Sequence, residues 1–565
     1  MANKTKLELT WIGKENRPRL EPRILLEDPE KSYHAKQRVT ENDIFDNRLI
    51  FGDNLLALKA LEQEFAGKVK CVYIDPPYNT GSAFEHYDDG IEHSTWLSLI
   101  RDRMELLRRL LSEDGSVWIS LDDNECHYFK VMMDEVFGRS AFIASIIWQK
   151  LFTVKNSARH FSDMHDYILV YAKDPVKWTR NLLPRSEDLD SSYSNPDDDP
   201  RGQWTTNALQ ARNYYSLGSY EIRSPKGKIF LPPKGTYWRV SEATFNDLNV
   251  DSRIWWGKDG TAIPRVKKFL SEVKQGVVPA TLWFHGECGT NAEAKTEVRA
   301  LFSDHPDADM FLTPKPEKLI KRILEVASSP GDLVLDSFAG SGTTGAVAQK
   351  MGRRWIMVEL GEQCHTHIIP RLQKVIDGTD AGAITNSVDW QGGGGFRYYR
   401  LAPSLLEKDK FGNLVISKQY NPNMLAEAMC KIMSYRYAPS DTVFWRHGQS
   451  TETDFIYVTT QTLSHEQLAQ ISEEVGDHHS LLICCAAFRA KPDAFPNLTL
   501  KKIPRMVLSR CEWGKDDYSL QVASLPPAPK PEPPPAPVVA LHGQPSSKEQ
   551  RKARVQLALF GEVEE

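Results

Sequence analysis

Short apolar runs alternate with amphipathic stretches over residues 49–172. The runs LIF (49–51), CVYI (71–74), VWISL (117–121), FIASIIW (142–148) and DYILVYA (166–172) have the length and the β-branched and aromatic content of buried strands. Between them, 94–112 sets Trp96, Leu99, Ile100, Met104, Leu107 and Leu111 at helical spacing. The alternation stops near 174, where Pro, Gly, Asn, Trp, Tyr, Lys and Arg accumulate without clean periodicity. It returns after 300. KPEKLIKRILEVA (315–327) predicts a helix, DLVLDSFAG (332–340) a strand and turn, TTGAVAQKM (343–351) a helix, and WIMVEL (355–360) a strand. This order predicts an α/β domain on a mostly parallel sheet, split by an insertion.

The divisions that follow are an N-terminal extension (1–44), two parts of the sheet domain (45–173 and 301–380) and the insertion between them (174–300). After the glycines 392–395 comes a smaller C-terminal α/β domain (396–525), with strand-like LLICCAAF (481–488) and LTLKKI (498–503). A proline-rich linker (526–545) and a short tail (546–565) follow. At 565 residues the chain is too long for one hydrophobic core. Its 41% hydrophobic and 26% charged content suits a globular protein. No run approaches the ~20 apolar residues of a membrane helix, and the first residues lack the apolar core of a signal peptide. The eight cysteines form neither CxxC pairs nor zinc-like spacings with histidine, so a reduced, cytoplasmic protein without a bound metal is expected. A net charge of −5 leaves room only for local basic patches toward nucleic acid.

Two segments carry candidate chemistry. Asp75-Pro76-Pro77-Tyr78 follows CVYI directly, so its aspartate ends a buried strand, where α/β proteins place ligands. The prolines lock the turn and have no N–H, which leaves carbonyls as acceptors in a rigid frame. A carboxylate, a backbone carbonyl and an aromatic face together suit an amino group on a flat ring. Taken alone, the same residues also serve as a tight strand-end turn. The second segment, LDSFAGSGTTGA (335–346), is a strand, a turn with Gly340, Gly342 and Gly345, and a helix, which lets backbone approach a ligand closely. Glu359 closes the next strand about 20 residues on, where an acid can hold ribose hydroxyls. By itself this loop also fits a dinucleotide or a plain βαβ turn.

Together, DPPY and FxGxG resemble the amino-methyltransferases of DNA, with DPPY first, as in the permuted β group that includes the modification subunits of type III restriction systems. The resemblance runs over roughly 45–375 and implies a Rossmann-like methyltransferase sheet with S-adenosyl-L-methionine as cofactor. It implies Asp75, Pro76, Pro77 and Tyr78 at the reaction centre, and Asp336, Phe338, Ala339, Gly340, Ser341, Gly342, Thr343 and Glu359 around the cofactor. LIFGDNLLAL (49–58) resembles the family segment whose acid, here Asp53, meets the cofactor adenine. TPKPEKL (313–319) resembles the element that helps hold its methionine, through Thr313 and Lys315. The implied activity is adenine-N6 methylation of duplex DNA after base flipping. Aspartate at the first motif position favours adenine over cytosine N4, and no Pro-Cys nucleophile is present for cytosine-ring methylation. RNA methylation, a DNA-recognition role in a helicase-nuclease complex and, remotely, nicotinamide chemistry are the rival readings.

The insertion, as target-recognition region, carries basic candidates for DNA contact: Arg212, Asn213, Lys226, Lys228, Arg239, Lys258, Arg265, Lys267 and Lys268. Such clusters suit phosphates better than base edges. The implied partners are double-stranded DNA, a second copy of the chain and a helicase-nuclease restriction subunit. In the tail, Gln556, Leu557, Leu559 and Phe560 resemble the peptide that binds the bacterial sliding clamp, and they equally suit a short helix packed on its own chain.

Overall fold

The computed structural model describes residues 8–77, 89–185, 190–273, 276–302, 313–380, 382, 384–491 and 493–519, with the side chains of 89–92 excepted. An eleven-stranded sheet organises it. Its order is Leu25–Glu27, Gly395–Leu401, Asn47–Phe51, Arg354–Glu359, Leu333–Asp336, Val69–Ile74, Leu111–Leu121, His165–Ala172, Phe142–Gln149 and Leu282–Trp283, with Tyr33–His34 paired on Gly395–Leu401. From Gly395–Leu401 across to Leu111–Leu121 every pairing is parallel, and His165–Ala172 runs against both its neighbours. The mostly parallel α/β sheet expected from the alternation is therefore present.

Both faces of the sheet are covered, as near-continuous apolar strands require. Helices Asn54–Phe65, Asp89–Leu110 and Cys126–Phe137 cover one face with Leu58, Trp96, Leu107 and Phe129. Glu317–Ala327, Thr343–Lys350 and Ile369–Ile376 cover the other with Leu319, Ile323, Val347 and Leu372.

Three boundaries differ from the sequence reading. Gly395–Leu401, placed there at the head of the C-terminal domain, lies inside the main sheet. Phe396 and Tyr398 pack into one core and Tyr399 into the other, so the strand is buried on both faces. The N-terminal extension is not separate either, because Leu25–Glu27 and Tyr33–His34 pair with that strand. At the far edge Leu282–Trp283 joins Phe142–Gln149, and Trp283 stacks on Trp118 at 6.2 Å, so the sheet domain resumes before 301.

The insertion builds its own small core from Leu209, Ile222, Trp238, Phe245, Ile254 and Trp256, beside the three-stranded sheet of Trp204–Ala208, Ile254–Trp255 and Arg265–Phe269. The C-terminal unit is a five-stranded sheet ending in the parallel strands Asp454–Val458, Ser480–Cys485 and Leu498–Lys502, with helices Pro422–Ile432 and His465–Val475. Among the described residues no helix is long and apolar enough to cross a membrane.

Candidate functional site

The parallel strands Val69–Ile74 and Leu333–Asp336 are neighbours, so Asp75 and Asp336 emerge side by side at the carboxyl edge. Asp75 Oδ2 accepts from Lys315 Nζ at 2.6 Å. Its Oδ1 is buried and has no hydrogen-bond partner among the described residues. Trp96 Nε1 donates to the Pro77 carbonyl at 2.9 Å, which ties the turn to the helix Asp89–Leu110. The sequence reading left both prolyl carbonyls open, and this bond corrects it for Pro77. Tyr78 lies outside the described residues.

Around the glycine turn the side chains hold the loop's own shape. Asp336 is fully buried and accepts from Thr344 Oγ1 at 2.5 Å and from the Phe338 N–H at 2.9 Å. Burial pushes its carboxyl up to about 7, against the pull of those two donors. Gly340 and Gly342 take φ of 53° and 76°, a region that disfavours any side chain, and a Cβ on Gly342 would press on Ile368 at 3.1 Å. Ala339, Ser341 and Thr343 are buried, and Phe338 is half-buried. Thr343 Oγ1 donates to the Lys315 carbonyl at 3.2 Å, so the TPKP segment is fastened to the loop, while Thr313 is exposed. Glu359 accepts from the N–H groups of Gly340, Leu360 and Gly361 and from Gln363 Nε2, at 2.7–3.0 Å. A ribose hydroxyl would have to share that carboxylate with four protein donors.

Asp53 is likewise engaged. It caps the helix Asn54–Phe65 through the Leu56 N–H, and its Oδ2 accepts from the Tyr518 N–H at 2.9 Å and faces buried Arg103 at 3.5 Å. Arg103 also donates to Asn54 Oδ1 and to the Tyr518 carbonyl. A cavity of about 650 Å³ opens here, walled in part by Leu55, Ser98, Leu99, Arg103, Tyr518 and Ser519. Sequence reasoning missed Trp96, Arg103 and Tyr518. Only Trp96 had a local signal, as the first apolar position of its helix.

In the insertion, Arg212, Asn213, Lys226, Lys228, Arg239, Lys258 and Lys268 are exposed. Lys267 is not available to phosphate, which corrects that expectation. It is buried between Asp197 and Asp199, because its strand turns Lys267 and Phe269 inward and Lys268 outward. Arg265 is half-buried and donates to Thr206. The tail peptide, Gln556 to Phe560, lies outside the described residues.

The family model for N6 and N4 methyltransferases, described as DNA methylase, matches residues 69–370. The chain belongs to this DNA methylase family. It is 34% identical over 338 residues to the type III restriction-modification enzyme StyLTI Mod subunit of Salmonella typhimurium, covering 54% of this chain and 50% of that one. It is 30% identical over 418 residues to the probable HindVI Mod subunit of Haemophilus influenzae, covering 63% and 54%. The chain spans about half the length of these curated relatives. Among solved structures, the cytosine-N4-specific PvuII DNA methyltransferase shares 15% identity at a TM-score of 0.34, over 60% of this chain and 89% of that one. S-adenosyl-L-methionine is the cofactor of this methylase family, and the residues fit it. Two left-handed glycines open the edge to a close approach, Glu359 ends the next strand, and Asp53 caps the helix that follows the strand beyond it.

Proposed function

We propose that this chain is a site-specific DNA methyltransferase acting on the N6 amino group of adenine in duplex DNA, as the modification component of a type III-like restriction-modification system or as a solitary relative. The supporting observation is Asp75 Oδ1, a buried acceptor with no donor among the described residues, set next to the glycine turn. Buried polar atoms are normally satisfied, so an orphan at a strand end marks where a ligand's donor docks. An adenine amino group donating to Oδ1 and to the Pro76 carbonyl would free its lone pair from the ring. When bound, S-adenosyl-L-methionine would supply a methyl already activated by positive sulfur, and the sulfur would keep the electron pair of the broken bond. The amino nitrogen gains the methyl and sheds one proton, which Oδ1 is placed to accept. The rest is orientation and electrostatics.

The base must leave the duplex to reach this edge, at a cost of a few kcal/mol. Tyr78 is proposed to stack on it. The exposed cations of the insertion suit phosphates, and the loop 151–162 beside Lys150 adds exposed Phe152, Val154 and Phe161 together with Lys155, Arg159 and His160. A second copy of the chain, a helicase-nuclease subunit and a sliding clamp bound through the tail are the proposed protein partners. Co-purification from the native host tests the last two and the mass of the purified chain in solution tests the first; a monomer that emerges alone removes all three.

Modified-base sequencing of DNA from cells expressing the chain, with Asp75→Ala as control, tests the activity. N6-methyladenine at one recurring sequence, absent in the control, is expected. N4-methylcytosine, no modification, or an unchanged Asp75→Ala control would each overturn the assignment.

A further inference from the structure

Asp75 has a cationic neighbour that its own motif does not contain. Lys315 stands 240 residues away in sequence, is 8% exposed at its side chain, and holds Oδ2 at 2.6 Å. Buried Asp166, at the start of the strand His165–Ala172, interacts electrostatically with Lys315, Lys150 and Asp75. Lys150 Nζ, just past the end of the strand Phe142–Gln149, is 2.8 Å from Asp166 Oδ1 and 2.6 Å from the exposed carboxylate of Asp163. The signs alternate from the buried edge to solvent: Asp75, Lys315, Asp166, Lys150, Asp163. All come from strand ends or loops at the same edge of the sheet.

We propose that Lys315 is a positioning residue for methyl transfer. Its ammonium pins Asp75 by Oδ2, so that Oδ1 is the oxygen turned to the amino group of the target base. Asp166, which Lys150 holds at 2.8 Å, adds a second negative charge that acts on Lys315. This rests on the methyltransferase reading above and differs from the role the family resemblance implies for Lys315, holding the cofactor's methionine. The physical case is geometric. A carboxylate on a short side chain turns about its Cα–Cβ and Cβ–Cγ bonds unless one oxygen is fixed, and misdirection of a reacting group by about 1 Å costs on the order of 100-fold in rate. The Lys315 carbonyl is bound to Thr343, so the same residue links the glycine loop to the position of Asp75.

The two roles separate in measurement. Full-length wild type, Lys315→Met, Lys315→Arg and Asp166→Asn are compared on the duplex mapped by sequencing, with cofactor affinity read by calorimetry and transfer by single turnover at saturating cofactor. Positioning predicts that Lys315→Met keeps the cofactor Kd within about twofold and lowers the single-turnover rate about 100-fold. Lys315→Arg, which keeps the charge, restores at least about tenfold of that loss, and Asp166→Asn lowers the rate about tenfold with the same Kd. A Kd weakened about tenfold or more with an unchanged rate at saturation overturns the proposal and assigns Lys315 to the cofactor. An unchanged Lys315→Met also overturns it. If Lys315→Met does not fold, the split is read on Lys315→Arg and Asp166→Asn. A wild type that transfers no methyl group sinks the methyltransferase reading itself, a different outcome from any of these.

Discussion

Asp75 and Asp336 follow and end adjacent parallel strands at one edge of one sheet, and their surroundings could hardly differ more. Asp75 faces an ammonium with one oxygen and offers the other to nothing among the described residues. Asp336 makes no ion pair among the described residues. It is fully buried against a hydroxyl and a backbone N–H, and its carboxyl rises to about 7. Position in the fold therefore does not assign a role. The partner set does: a paired carboxylate with a spare buried acceptor is set up to bind a donor, whereas one satisfied by neutral donors secures the turn that it caps.

The sharpest way to break this comparison is the same substitution at both sites. Asn keeps the shape of Asp and removes the charge and the proton acceptor. Asp75→Asn should lower methyl transfer by about 1000-fold or more, in the range expected when a preorganised electrostatic group and a proton acceptor are lost together. Asp336→Asn should cost less than about tenfold, because its Oδ1 can still accept from Phe338 and its amide can donate to Thr344. Rates with radiolabelled cofactor on the mapped duplex check both. Equal losses would show that the two aspartates act as one unit.

How these sites stood in the sequence explains what was readable there. DPPY and the glycine turn are local signals, since strand, turn and helix starts are written in consecutive residues. The α/β sheet followed from the same alternation. Lys315 at Asp75 and Tyr518 at Asp53 are pairings between residues far apart in the chain, and no local period encodes them. Gly395–Leu401 was misplaced for a related reason. Its apolar pattern marks a strand, but its position between Leu25–Glu27 and Asn47–Phe51 depends on chain order giving way to spatial order.

A second test reads stability instead of rate. Asp336 has a folded value of about 7, above the ~3.9 of a free aspartate, so the fold favours its protonated form. Its contribution is complete below ~3.9 and is lost as pH rises through about 7. The loss is on the order of 4 kcal/mol at most by that difference. Asp336→Asn cannot ionise. Relative to wild type it should gain stability between pH 5 and pH 8, read as urea midpoints at several pH values. A wild type and variant that respond to pH in parallel would show that Asp336 stays charged, and its contrast with Asp75 would shrink.

The smallest expected effect extends the contrast to two neighbours in the insertion. Lys267 and Lys268 are adjacent on the strand Arg265–Phe269, and the period of two turns them to opposite sides. Lys267 is buried between two carboxylates, so its charge is already neutralised inside the protein. Lys268 is exposed, and its ammonium is free to replace counterions on a phosphate. On the mapped duplex, Lys268→Ala should lower the slope of log affinity against log salt by about 1. Lys267→Gln should leave that slope unchanged and instead lower the melting temperature, because it removes the buried cation between Asp197 and Asp199. If Lys267→Gln lowers the slope as much as Lys268→Ala does, the strand turns over on DNA. Burial in the free protein would then not decide which lysine meets phosphate.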